Sequence, residues 1–515
     1  MGTQSLKDKS KLTRFELITL IAASSITITL VSTCSPLYPF NPWDDANCFF
    51  TLGRGILHGL VPYRDLYEQK GPLLYFIYAL VALLSEKSFI GAWIIELVTT
   101  SVFAVYSWKI IRLFTEPSKY MLVLMPFFLG ITYSNGMFNF GGNAEEFCFP
   151  LLTIALYFGL RAIIHGDGLP KNNASFICGL ITGILFWIKF TFIGFIAGFC
   201  IYIIIVSIRK KDIKRLFGLI WRFLAAFIVV SIPILLYFVA TGSLKDLWES
   251  YFYNKIFYLN TSEAHGIMTI PVIKNIITVV VSMVFVSFEY PHYPIQLLLA
   301  FISFFFVSKQ HRKKVLLFFL VTFIFSALFA FLSSSIIYYY GYIHSYCFCL
   351  GLIPVIRILE KLENRFKERK ELIKALSIIF LSVFYMVTIL LCKNMYLFLK
   401  PKQFLSQYRI AETIRQTPDA KVITYDFMDS GFYTAAEILP ANKYYCYNNI
   451  ADSFPAIREE QNRLIEEGYY DYVITTYFCD FESDNYELIQ EESSPFVDYT
   501  SKPILDYYKL YKRVS

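Results

Sequence analysis

A few ionisable residues stand out from an otherwise apolar chain. Asp44 and Asp45 open the stretch PWDDANCFFTLGRGILHGLVPYRDLYEQKGPLLYFIYAL, which carries Lys70 in Gln69-Lys70-Gly71-Pro72. Farther along, NGMFNFGGNAEEFCFP holds Asn143, Glu145 and Glu146, FWIKFTF holds Lys189, and YYYGYIHSY holds His344. A lipid phosphate at a membrane interface needs cations, and Lys70 and Lys189 supply them as point charges. A hydroxyl attacking a sugar carbon needs a carboxylate base within reach, a role open to Asp44 or Asp45. A phosphate leaving group asks for charge stabilisation more than for protonation. The set therefore fits glycosyl transfer from a lipid phosphate, and it equally fits a proton- or cation-coupled transporter. Each residue also has a plainer reading. The aspartates can be solvated loop acids, Lys189 can snorkel to the interface, and His344 can be a satisfied interfacial histidine. Glu145 and Glu146 can be helix N-terminal acids favoured by the macrodipole. What weighs against these readings is depth: acids and cations from distant segments fall at one membrane level, where ionisable residues share a cavity.

The elements that position them are membrane helices. The 515 residues are 56% hydrophobic and 17% charged, with 51 Phe and 38 Tyr, and the mean hydropathy is +0.50. That composition excludes a soluble globular protein, and repeated apolar runs predict a polytopic helical bundle. The net charge of +7 sits in short loops and sets topology; it is no nucleic-acid signature. Lys7, Lys9, Lys11 and Arg14 place the N-terminus in the cytoplasm ahead of an uncleaved first span at 15–36. The acid-and-lysine stretch is then the first outer loop, 37–87. It holds a surface helix over 46–59 stopped at Gly59, and a second over 73–85, bounded by Pro72 and Glu86-Lys87 and too short to cross.

Charge parity supports that choice. If 73–85 does not cross, the basic cluster Arg209 to Arg215 falls inside. Keeping 271–290 at the outer surface does the same for His311 to Lys314. About eleven spans result, and an odd count carries the C-terminus outside. From about 403 the sequence alternates helix (YRIAETIRQ), strand (KVITYDF), helix (REEQNRLIEEG), strand (YDYVITTYF) and a last strand or helix (YYKLYKRVS). This is a small α/β unit without a Gly-rich phosphate loop. The expected organisation is a membrane domain, 1–400, and an extracytoplasmic α/β domain, 401–515. The ten cysteines show no zinc spacing and mostly read as small core residues; Cys446 and Cys479 could pair if the tail lies outside.

The acid pair, G-I-L-H-G-L-V-P-Y-R-D and K-G-P-L-L-Y together resemble the first outer loop of GT-C superfamily membrane glycosyltransferases. The likeness is to the protein mannosyltransferases and the lipid A aminoarabinose transferases. It extends more weakly to Glu145 or Glu146, to Lys189, and to a late segment with His344 and Pro354, and covers roughly 15–390. The resemblance implies a GT-C-like all-α bundle with surface helices in its first outer loop, a polyprenyl-phosphate sugar donor and inversion at the sugar carbon. It implies Asp44 or Asp45 as base or acceptor-positioning acid, with Glu145 and Glu146 as further catalytic candidates. Lys70 and Lys189 would bind the lipid phosphate, and Tyr63, Arg64, Asn143 and His344 are the remaining substrate-binding candidates. Gly71 stands where the family pattern has the first proline of Lys-Pro-Pro, and a Glu pair replaces a single Asp. No cofactor is fixed; a divalent cation on Asp44, Asp45 and Glu145 stays open. The expected partners are the lipid-linked donor, an extracytoplasmic glycan, lipid or protein acceptor, and membrane lipids. The competing readings are a transporter or flippase of a lipid-linked glycan, and a polymerase or ligase of lipid-linked oligosaccharides.

Overall fold

The computed structural model describes residues 12–116, 118, 120–257, 272–331, 337–448, 450–451, 454–497 and 503–514. Lys7, Lys9, Lys11 and the later part of the 241–270 loop lie outside the described residues. Among those described, eight helices are long and apolar enough to cross a membrane: Arg14–Val31, Ile90–Ile111, Ala144–Ile164, Phe190–Lys210, Ile213–Ala240, Lys309–Ala330, Tyr339–Arg365 and Glu371–Leu390. Five shorter apolar helices accompany them. Three of these, Tyr120–Tyr133, Asn172–Ile188 and His292–Phe306, stand where charge parity expects crossings. The other two, Pro72–Leu84 and Val279–Glu289, stand where it expects surface segments.

Six helices frame the region of interest: α1 (Arg14–Val31), α2 (Asp44–Leu57), α3 (Pro72–Leu84), α4 (Ile90–Ile111), α5 (Ala144–Ile164) and α6 (Asn172–Ile188). α3 has 13 residues, about 20 Å at 1.5 Å per residue, short of a ~30 Å hydrocarbon core. Pro72 starts it, where a missing N–H costs nothing. α2 ends as expected: Gly59 follows with φ +83°, a conformation open to glycine. Instead of presenting one face to solvent, α2 is buried from Asp45 through Gly55. It is clasped between α3 and the C-terminal region. At Gly53 a Cβ would lie 2.4 Å from the Tyr78 carbonyl carbon, so only glycine lets α2 and α3 approach this closely.

The C-terminal region forms a four-stranded sheet of order β1-β2-β4-β3, with β1 Val422–Thr424, β2 Tyr472–Thr476, β3 Tyr486–Val497 and β4 Pro503–Arg513. β1 and β2 run parallel, and β4 pairs antiparallel with both β2 and β3. Helices Ser406–Ile414 and Ala456–Glu466 complete it. The last segment, open between strand and helix in the sequence, is a strand because its alternating apolar residues Tyr508 and Leu510 face the core. Apolar packing is continuous between bundle and sheet, with Phe40, Tyr408, Phe432 and Tyr508 in one cluster. Cys446 and Cys479 are not bonded; all ten cysteines are free thiols. Cys446 instead lies against Cys48 of α2.

Candidate active site

The first-loop acids diverge at once. Adjacent residues on a helix point about 100° apart, and α2 uses that angle to send Asp44 and Asp45 to different neighbours. Asp45 turns toward the bundle, where its Oδ2 lies 3.6 Å from Lys70 Nζ and accepts a 3.0 Å hydrogen bond from the Tyr339 hydroxyl. Asp44 turns toward the C-terminal region and accepts a 2.6 Å bond from Ser430 Oγ.

Lys70 is held from behind. Glu68 accepts from its backbone N–H at 2.7 Å and also from the Tyr75 hydroxyl. The Tyr63 hydroxyl donates to the Lys70 carbonyl at 2.6 Å. Tyr63 thus serves the loop, with its ring stacked on Phe238, and its positive φ of 70° is part of the turn. Burial opposes the charge on Lys70, but Asp45 and Glu68 outweigh it and hold its ammonium above the ordinary lysine range.

Gly71 explains how two distant lysines meet. Its N–H donates to the Ile188 carbonyl at 2.9 Å, and a Cβ there would fall 2.0 Å from the Trp187 carbonyl oxygen. A proline would lack that donor and carry a side chain into the same space. The departure from Lys-Pro-Pro is therefore what lets the Lys70 loop dock against the end of α6. Lys189 is the next residue, in extended conformation between α6 and the 3-10 turn Phe190–Ile193. Its Nζ donates to Glu145 Oε1 at 2.8 Å and lies 3.4 Å from the centroid of the Tyr340 ring, a close cation–π contact. Tyr339 on Asp45 and Tyr340 under Lys189 tie the two ion pairs together.

A third cation completes the group. Lys255 is buried between the rings of Phe190 and Tyr251 and has no acidic partner within salt-bridge distance among the described residues. Burial, then the charges of Lys70 and Lys189, push its ammonium well below the ordinary lysine range, with Glu68 acting the other way. An anion placed among the three lysines would remove that penalty.

The remaining sequence candidates fall elsewhere. Glu146 faces α4 rather than Lys189; it and Glu96 both accept from the Gly142 N–H, at 3.0 and 2.8 Å. Asn143 caps α5, accepting from the Glu146 N–H at 2.6 Å. His344 bonds the Tyr293 hydroxyl through Nδ1 at 2.8 Å and packs on Phe323 and Phe331. Arg64 is engaged at the surface with Asp65 and the Thr241 carbonyl. The acids weighed as a metal set do not converge: Asp44 and Glu145 are turned to Ser430 and Lys189. Among the described residues no three His, Cys, Asp or Glu side chains gather as a metal site.

Glu68, Tyr339, Tyr340 and Lys255 were not singled out in the sequence. Glu68 lies two residues from Lys70 and carried a signal. The tyrosines sit in the segment read for its histidine. Lys255 is one lysine in an aromatic loop and carried none.

The fold and the geometry together define a polytopic helical bundle with a small C-terminal sheet and a cluster of buried lysines. Residues 69–237 match the family model for dolichyl-phosphate-mannose-protein mannosyltransferases, in line with the resemblance read from the first loop. No curated protein matches the chain. Among solved structures, ArnT from Cupriavidus metallidurans bound to undecaprenyl phosphate superposes with a TM-score of 0.59 at 11% identity, covering 98% of this chain and 99% of that one. The apo state of the same protein gives 0.56 at 10% identity, with 96% and 97% covered. The fold is therefore that of ArnT over nearly the whole length of both chains.

Proposed function

We propose that this protein is an integral membrane glycosyltransferase that moves a sugar from a polyprenyl-phosphate carrier to an acceptor outside the cytoplasm. The observation that carries the reading is the set of three buried lysines, Lys70, Lys189 and Lys255, close enough that the charges of the first two act on the third. Among the described residues, two of them face acids within salt-bridge distance, Lys70 with Asp45 and Lys189 with Glu145. The family model and the ArnT fold, solved with undecaprenyl phosphate, support a lipid phosphate as the missing anion.

In this scheme the donor phosphate sits among the lysines and the sugar carbon faces Asp45. Its Oδ2 is occupied by Tyr339 and Lys70, which leaves Oδ1 for the acceptor hydroxyl. The acceptor oxygen attacks the anomeric carbon from the side opposite the phosphate, and the bond from that carbon to the phosphate oxygen breaks. The electron pair leaves on the phosphate, which the lysines stabilise, and the acceptor proton passes to Asp45. The products are a glycosylated acceptor of inverted configuration and the free polyprenyl phosphate. Asp45, rather than Asp44, is the base; Glu145 positions Lys189. The site faces outward, the N-terminus is cytoplasmic, and the 401–515 domain lies on the site's side.

The test uses purified protein in detergent with radiolabelled undecaprenyl-phosphate hexoses and a cell-envelope glycan extract. Label should move from the lipid into a larger product. Folded protein that releases no label from any carrier would refute the assignment.

A further inference from the structure

A cleft that the transfer step leaves unused is lined by Tyr67 and Asn254, the sequence neighbours of Glu68 and Lys255. It has a volume of about 230 Å³ and lies where three separate parts of the chain meet. Tyr67 comes from the first loop, Glu249, Tyr253 and Asn254 from the segment after the Ile213–Ala240 helix, and Tyr444 and Phe454 from the C-terminal region. The junction is built, not accidental. Tyr67 donates its backbone N–H to the Lys443 carbonyl at 2.9 Å, and Asn254 Nδ2 donates to the Tyr67 hydroxyl at 3.0 Å. Tyr67 is edge-on to Tyr444, centroids 5.5 Å apart, and stacked near Phe454 at 6.4 Å.

Two backbone links join this cleft to the reacting centre. Tyr67 lines it, and the next residue, Glu68, braces Lys70. Asn254 lines it, and the next residue is Lys255. A ligand in the cleft therefore touches the residue next to Lys255 on one segment and the residue next to Glu68, which braces Lys70, on the other.

The lining states what kind of ligand fits. Aromatic walls carrying hydroxyls suit a molecule with one apolar face and a polar edge. Glu249, the Asn254 amide and Lys443 add hydrogen-bonding groups at the rim, and Lys443 is already paired with Asp246 at 3.7 Å. Flat hydrocarbon would strand those polar groups. A pyranose presents a C–H face to a ring and hydroxyls at its edge. The volume is below the roughly 300–1,000 Å³ of drug-sized pockets, which limits it to one sugar ring. Resting on the transferase reading above, we infer that this cleft is the acceptor subsite and that it binds a single hexopyranose unit of an acceptor glycan or glycolipid. The C-terminal region then takes part in acceptor recognition, by supplying Tyr444 and Phe454.

The experiment is saturation-transfer NMR on the full-length protein in detergent with methyl α- and β-D-glucoside, mannoside and galactoside. Undecaprenyl phosphate binding is measured on the same preparations. Tyr253 is 42% exposed, so Tyr253→Ala should fold, and Glu249→Gln is a milder second variant. At least one hexoside should give ring-proton signals, with binding weakened about two- to tenfold in Tyr253→Ala, the scale of one lost aromatic contact. Undecaprenyl phosphate binding should stay unchanged in both variants. Hexoside signals indifferent to both substitutions would overturn the subsite, as would protein that binds undecaprenyl phosphate but no hexoside. A Ser/Thr-rich peptide that displaces the hexoside as effectively as a second sugar would also overturn it. Tyr253-dependent hexoside binding in protein that binds no undecaprenyl phosphate would uphold the sugar site and sink the donor reading instead.

Discussion

The two faces of α2 handle acidic side chains in opposite ways. On the bundle face, Asp45 meets Lys70 and the Tyr339 hydroxyl, and Glu145 meets Lys189 close by. On the other face, Asp44, Asp429 and Asp506 gather with hydroxyl and backbone donors. Ser430 bonds Asp44, and Thr51 and the Gly431 N–H bond Asp429. Burial, opposed by the Ser430 hydrogen bond and reinforced by Asp506, Asp45 and Asp429, brings Asp44 up to about 7. Burial likewise raises Asp429 and Asp506 to about 6. One face pairs its acids with lysines. The other stores acids that hold the C-terminal region in place and titrate near neutrality. Neighbouring residues of one sequence motif thus meet opposite surroundings, and on the proposed function only Asp45 takes part in the chemistry.

The sharpest way to break this contrast is to change the two aspartates singly. Asp45→Asn should lower sugar transfer by about 100-fold or more, the scale of a lost general base. Asp44→Asn should keep most of the activity. Equal losses measured in the label-transfer assay would erase the distinction between the faces. Next in size is Lys70→Ala. Losing a charge-assisted contact of about 1.5–3 kcal/mol should weaken undecaprenyl phosphate binding roughly ten- to 100-fold, read as Kd in a lipid titration; an unchanged Kd would remove Lys70 from the phosphate site.

Gly71→Ala probes how the bundle face is assembled. The new Cβ must displace the end of α6, and overpacking of this kind costs about 1–3 kcal/mol. A lower Tm should therefore appear together with weaker lipid binding, because Lys70 and Lys189 are drawn apart. A lower Tm with unchanged lipid affinity would show that the contact is structural only.

The smallest effect belongs to the other face, and its sign follows from the raised values. The three carboxyls bind protons more readily when folded than in the unfolded chain, where an aspartate titrates at about 3.9. Their contribution to stability therefore grows as pH falls from about 7 toward 4, and is lost as pH rises through about 6 to 7. Tm at about pH 5.5 should exceed that at about pH 8, and Asp44→Asn should flatten the difference by raising Tm at the higher pH. A slope that survives in Asp44→Asn, Asp429→Asn and Asp506→Asn alike would assign it to other groups.

Much of this was legible in the residues. Periodic apolar runs and basic loops gave the helices, and the short span after Pro72 was recognisable as α3 from length alone. Lys70, Lys189 and Glu145 were visible as charges at one depth. Which of Asp44 and Asp45 faces the lysines was not, because it depends on how α2 is rotated between α3 and the C-terminal region. Glu146 and His344 looked equivalent to Glu145 by depth, yet the helix rotation sends one to Glu96 and the other to Tyr293. β3 was missed because YELIQEESSPFV mixes charges and a proline, a pattern an edge strand tolerates. Lys255 gave no warning, since only its neighbours in space distinguish it from an interfacial lysine.

The most direct measurement is a paired titration of the purified protein with undecaprenyl phosphate and with undecaprenol, which differ only in the headgroup. If Lys70, Lys189 and Lys255 form an anion site, the phosphate should bind at least about tenfold more tightly, and Lys70→Ala should bring the two affinities together. Equal affinities for the phosphate and the alcohol in the unaltered protein would contradict a lipid-phosphate site at this centre.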